Sequence, residues 1–107
     1  MSEAFARIAR LQLERLRWFA SQVEAGEADA SVVRQARERL RRFVLAAQES
    51  AGPAVRATLE EVESNLASVA ERGSEGAAWL GDRVAAIETA LEAGGAAPAG
   101  PPRRPIA

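Results

Sequence analysis

Cysteine, histidine, lysine and tyrosine are all absent from the 107-residue sequence. The chain therefore has no thiolate nucleophile, no imidazole base and none of the usual nitrogen and sulfur ligands of zinc. It also has no lysine amine that could form a Schiff base. Because only carboxylates and guanidiniums remain as charged side chains, we expect a protein that is not an enzyme and holds no metal or cofactor.

The sequence also has no large excess of charge of one sign and no long apolar run. The net charge of −1 gives no general attraction to nucleic acid or to an anionic membrane. Residues 1–10 lack the apolar stretch of a signal peptide, and no apolar run approaches the ~20 residues that cross a bilayer. We expect a soluble, cytoplasmic protein with no membrane contact and no small-molecule substrate.

Large hydrophobic residues are few, because 25 of the hydrophobic residues are alanine and only 26 are larger. That number suffices for one modest core. All 14 basic residues are arginine. Arginine, alanine, glycine and proline have GC-rich codons, so this usage indicates a bacterial or phage genome of high GC content. The alternative is selection for guanidinium, which pairs bidentately with carboxylates and phosphates.

Glycine and proline divide the chain into four helices and a tail. We predict helix one from about Ser2 to Ala25, helix two from a cap at Asp29 or Ser31 to Ser50, helix three from Pro53 to Arg72, and helix four from a cap at Ser74 to about Ala93. Residues 73–76 are predicted to form the last turn. Residues 94–107 hold four of the five prolines and should be disordered.

Apolar residues recur at helical spacing, and no period-2 alternation is long enough for a strand. Helices three and four have narrow seams at a 3.5-residue period, which is typical of coiled-coil packing. Short connections between helices of similar length predict antiparallel neighbours. Residues 1–93 should therefore form an all-α, up-down bundle of four amphipathic helices. The alternative is two hairpins that separate at Gly52-Pro53 and assemble with a second chain.

The predicted core follows from this spacing. Helix one contributes Phe5, Ile8, Ala9, Leu13, Leu16, Phe19, Ala20 and Val23; helix two contributes Val32, Val33, Ala36, Leu40, Phe43, Val44 and Ala47; helix three contributes Val55, Leu59, Val62, Leu66 and Val69; helix four contributes Ala77, Leu80, Val84, Ile87 and Leu91. Within helix four, Gly81 either permits close approach of another helix or only weakens the helix.

Both tryptophans lie beside these core faces rather than on them. Helix one has a second stripe with Leu11 and Trp18, and the flank of helix four carries Trp79 and Arg83. Tryptophan is enriched at the energetic centres of protein interfaces. We predict that these four residues contact a partner. The alternative is that each flanking tryptophan only widens the core of a small bundle.

Helix two is rich in arginine, with Arg34, Arg37, Arg41 and Arg42 as candidate contacts for an anion or an acidic partner. Nucleic-acid phosphates are one possible target, and a solvated helix face is the plainer alternative. Residues 51–93 carry eight acidic residues against three arginines. Helix two could therefore dock on helices three and four, within one chain or between chains.

The function that these features favour is a non-catalytic protein–protein interaction module. It would be a small bacterial or phage adaptor, a chaperone-like subunit or an assembly component, and we expect it to self-associate. The alternative is a regulatory or nucleic-acid-associated protein that uses the arginines of helix two. The tail has the P-x-x-P spacing of polyproline-groove ligands, so it is either a docking peptide or an unstructured end.

Overall fold

The computed structural model describes residues 3–93, which form four α-helices and contain no strand. The helices are α1 (Glu3–Glu24), α2 (Ala30–Ser50), α3 (Pro53–Arg72) and α4 (Ser74–Glu92). The all-α prediction is confirmed. The predicted cap at Ser2 and the predicted tail of residues 94–107 lie outside the described residues.

The four helices close into a ring. Each helix packs against the helices that precede and follow it, and α1 also packs against α4. We call α1 and α2 the first hairpin, and α3 and α4 the second. Ala6, near the start of α1, and Leu91, near the end of α4, line the same groove. The predicted up-down bundle is confirmed.

The core lies along the axis of the ring and is built by all four helices. Every predicted seam residue of α3 is 2% exposed or less. Burial of a Val, Leu or Ile side chain contributes roughly 1.5–3 kcal/mol. The buried residues are Phe5, Ala9, Leu13, Leu16, Phe19 and Val23 of α1, Leu40, Phe43, Val44 and Ala47 of α2, the five seam residues of α3, and Ala77, Leu80, Val84 and Ile87 of α4.

The edges of the predicted core differ from the prediction. Ile8 was expected in the core, but 44% of its surface is exposed. It lies near the start of α1 and at the margin of the apolar arc, where the neighbouring helices leave much of it uncovered. Other marginal residues are half-buried and pack against the core: Ala20, Val32, Val33, Ala36 and Leu91.

The start of α2 is fixed by one side chain. The Val32 backbone N–H donates to Asp29 Oδ1 at 2.9 Å. This bond satisfies one of the backbone donors that the first turn of a helix leaves without a partner. Of the two predicted caps, Asp29 is the one that acts, and Ser31 lies inside the first turn of α2.

The connection between α3 and α4 is shorter than predicted. Gly73 alone joins the helices at a φ of 61°, which a side chain would disfavour. Ser74 is the first residue of α4, so the predicted cap at Ser74 and the predicted turn over residues 73–76 are wrong. A Cβ on Gly76 would lie 2.1 Å from the Val69 carbonyl oxygen, whereas a Cβ on Gly81 would meet nothing within 4 Å. The close helix approach therefore depends on Gly76 rather than on Gly81.

Candidate functional site

Within residues 3–93, the large apolar side chains that remain exposed all lie on the first hairpin. They are Ile8 at 44%, Leu11 at 46%, Trp18 at 53% and Leu45 at 57% exposure. Ile8, Leu11 and Trp18 share one side of α1 because their spacing of three and seven residues matches the helical period. We call these three residues the α1 ridge. Among residues 3–93, the second hairpin exposes no comparable side chain.

A groove between α1 and α2 runs beside Trp18. Its buried residues are apolar and include Leu16, Phe19, Leu40 and Phe43, which belong to the core. Its polar residues are Gln12, Arg15, Gln35 and Arg39, and no acidic side chain lines it. We call this feature the α1–α2 groove. It combines an apolar floor, a tryptophan wall and two guanidinium groups.

Ion pairs connect the helices at the other three contacts of the ring. Arg17 of α1 pairs with Glu88 of α4. Arg41 Nε of α2 lies 3.1 Å from Glu63 Oε2 of α3, and Arg83 Nη2 of α4 lies 3.6 Å from Glu61 Oε2 of α3. The hydrogen bond to the Glu88 carboxylate raises the pKa of the Arg17 guanidinium.

The contact between α1 and α2 has no such pair within residues 3–93. Arg15 and Arg39 both line this contact, yet neither has a salt-bridge or hydrogen-bond partner in that part of the chain. Arg39 is half-buried and Arg15 is exposed. Among residues 3–93, the lining of the α1–α2 groove thus contains two arginines and no carboxylate.

Trp79 and Arg83 lie on α4, and Arg83 contacts α3. The α3–α4 contact is opposite the α1–α2 groove in the ring of helices. The Arg83 guanidinium carbon lies 5.2 Å from the centroid of the Trp79 ring. Trp79 is half-buried and packs against the core, and Arg83 also contacts Glu61. Arg83 thus connects α4 to α3 within the chain, and Trp79 contacts Arg83 on α4 itself. The structure does not bring them together with Leu11 and Trp18, and their contact with a partner stays a prediction.

The predicted arginines of α2 point to more than one side. Arg41 pairs with Glu63, so α2 docks on α3 within the chain. Arg34 and Arg37 line a groove between α2 and α3 that also contains acidic residues, Asp29 and Glu71. Arg42 is exposed on the surface of α2. The four arginines therefore do not form one cationic surface.

Sequence reasoning missed Arg15, Gln35 and Arg39 as candidate site residues. Arg15 lies between Leu11 and Trp18 at a 4-3 spacing, and this pattern could have placed it on the α1 ridge. Arg39 and Gln35 gave no comparable signal, because only the packing of α2 on α1 brings them to the groove.

Comparison of the chain with protein-family models, curated proteins and solved structures finds no match. In residues 3–93, none of the helices combines the length and the apolar character that a membrane span requires. What supports a function is therefore the surface of the first hairpin itself.

Proposed function

We propose that this protein is a non-catalytic interaction module that binds a protein chain through the first hairpin. The binding surface consists of the α1 ridge and the α1–α2 groove. The observation that carries the proposal is the α1 ridge: of the four large apolar side chains that residues 3–93 expose, three lie on one side of α1. Contiguous exposed apolar surface is typical of interaction sites.

Trp18 is the centre of this surface. It is 53% exposed, whereas the core residue one position later, Phe19, is 1% exposed. The bundle therefore forms while about half of the Trp18 surface stays exposed. A tryptophan that becomes buried against a partner contributes a large contact area at a low cost in side-chain entropy.

The proposed role is that of a small adaptor, chaperone-like subunit or assembly component in the cytoplasm of a bacterium or a phage-infected cell. Self-association through the same surface is one form that this role can take. Leu11 and Trp18 are its proposed principal contacts, and Trp79 and Arg83 remain secondary candidates because they already contact each other within the chain.

Site-specific photocrosslinking in cells of the source organism tests this function. A benzoylphenylalanine is placed at Leu11 or Gln35, which belong to the proposed surface, and at Ser64, an exposed control position on α3. We expect covalent adducts from the first two positions and none from the third. An adduct of twice the mass of the chain identifies self-association, and another mass identifies a different protein.

Two results contradict the proposed function. One is the absence of adducts at both Leu11 and Gln35. The other is an equal yield at Ser64, which would mean that crosslinking follows exposure alone.

A further inference from the structure

The α1–α2 groove differs in charge from the other contacts of the ring. The other three contacts each contain an Arg–Glu pair. This one contains Arg15 and Arg39 and no carboxylate. Within residues 3–93 neither Arg15 nor Arg39 has an ionic partner, so a carboxylate supplied from outside would be bound favourably.

The apolar part of the surface determines how such a ligand would lie. Leu11, Arg15 and Trp18 follow one another at spacings of four and three residues along one side of α1. A helix laid along this side presents its own residues at the same period. Its apolar stripe would contact Leu11 and Trp18, and acidic residues beside the stripe would reach Arg15 and Arg39.

We propose that the α1–α2 groove binds an acidic amphipathic helix of another protein. This inference rests on the interaction function proposed above and specifies its partner. Apolar contact supplies most of the buried area, and the two arginines select the charge of the helix, because charge complementarity governs specificity and the rate of association.

A second copy of the chain satisfies the groove only in part. In a two-fold pair of antiparallel α1 helices, placing Leu11 opposite Trp18 also places Glu14 opposite Arg15. Glu14 can then pair with Arg15, but the α1–α2 groove of a second copy has no acidic side chain to offer Arg39. The acidic second hairpin is no better an occupant, because within residues 3–93 it exposes no large apolar side chain that could cover Trp18.

The first test is a selection from a displayed library of amphipathic helical peptides. The apolar stripe of the peptides is fixed, and their other positions vary among glutamate, glutamine, alanine and lysine. We expect the full chain to enrich peptides of negative charge, with glutamate next to the stripe. A Trp18→Ala chain should not enrich them.

The second test measures the affinity of one selected peptide by fluorescence anisotropy at ~50 mM salt, where charge contacts are least screened. The Arg15→Gln, Arg39→Gln double variant should weaken binding at least about tenfold, as two lost charge-assisted hydrogen bonds predict. The control is Arg34→Gln, Arg37→Gln, which removes the same charge from the other side of α2. It should change the affinity less than about twofold.

Several results would overturn the proposal. They are enrichment of neutral or basic peptides, no enrichment at all, and an equal loss of affinity in the control variant. A further one is a wild-type chain that is a dimer by light scattering and becomes a monomer on Trp18→Ala, since a second copy would then occupy the groove. If peptides fail but crosslinking at Leu11 succeeds, only the acidic helix is wrong; if both fail, the proposed function is wrong.

Discussion

At the scale of single residues, the two tryptophans show how differently one residue type is used in this fold. Trp18 is 53% exposed, whereas Trp79 packs against the core and contacts Arg83. Trp79→Ala should lower the free energy of unfolding by about 2–3 kcal/mol, because it removes a half-buried ring. Trp18→Ala should lower it by less than about 1 kcal/mol. Urea unfolding followed by circular dichroism measures both, and equal losses would contradict the difference in burial.

Two glycines of α4 provide a second comparison at this scale. Gly76→Ala places a Cβ 2.1 Å from the Val69 carbonyl oxygen, a backbone atom that cannot move independently. We expect it to lower the free energy of unfolding by about 2 kcal/mol or more. Gly81→Ala meets no neighbour within 4 Å and should raise that free energy by about 0.5–1 kcal/mol.

Thermal unfolding of the two glycine variants shows directly whether each substitution raises or lowers the stability. A Gly76→Ala protein as stable as the wild type would show that α3 and α4 can separate without cost. The prediction for Gly81 fails if alanine there lowers the melting temperature.

At the scale of helices, the start of α2 depends on the Asp29 cap. Asp29→Ala should lower the free energy of unfolding by about 1 kcal/mol, because the Val32 N–H loses its acceptor. Asp29→Asn should retain most of the stability, since asparagine caps equally well. Ser31→Ala is the matched control and should change stability by less than about 0.5 kcal/mol. Denaturant midpoints of the three variants measure these changes in stability. A larger loss for Ser31→Ala than for Asp29→Ala would contradict the assignment of Asp29 as the cap.

The helices themselves could largely be predicted from the sequence, and their flanks could not. The seam of α3 was predicted completely, because five apolar residues at a 4-3 spacing leave one choice of buried side. Ile8 and Trp79 both lie beside such a seam, yet Ile8 is exposed and Trp79 is half-buried. Their burial depends on which side the neighbouring helix occupies, and the period of a single helix does not contain that information.

At the scale of the whole molecule, charge is distributed unequally between the hairpins. Residues 1–50 carry nine arginines against seven acidic residues, and residues 51–93 carry three against eight. Part of this difference is used inside the chain, as in the pair between Arg41 and Glu63. Other arginines of the first hairpin lie on different sides: Arg15 and Arg39 line the α1–α2 groove, whereas Arg34 and Arg37 line the groove between α2 and α3. Nucleic-acid binding by α2 stays a prediction, with its arginines divided between two sides of the helix.

The candidate site could be predicted only in part for the same reason. The sequence predicts Leu11 and Trp18 as contacts because they lie on one helix at a regular spacing. Arg39 joins them only through the packing of α2 against α1. To predict a site composed of residues from two helices, one must know the order of the helices around the bundle. That order is set by the tertiary packing.

Because α1 also packs against α4, the chain could be opened at one loop and closed at another without changing the helix contacts. The start of α1 and the end of α4 meet at one end of the ring, where Ala6 and Leu91 line a common groove. A linker could join these two ends while the chain is opened between α1 and α2, near Gly26. Such a circular permutant would keep all four helix contacts and the α1–α2 groove, because the groove is held by packing and not by the loop that now connects its two walls.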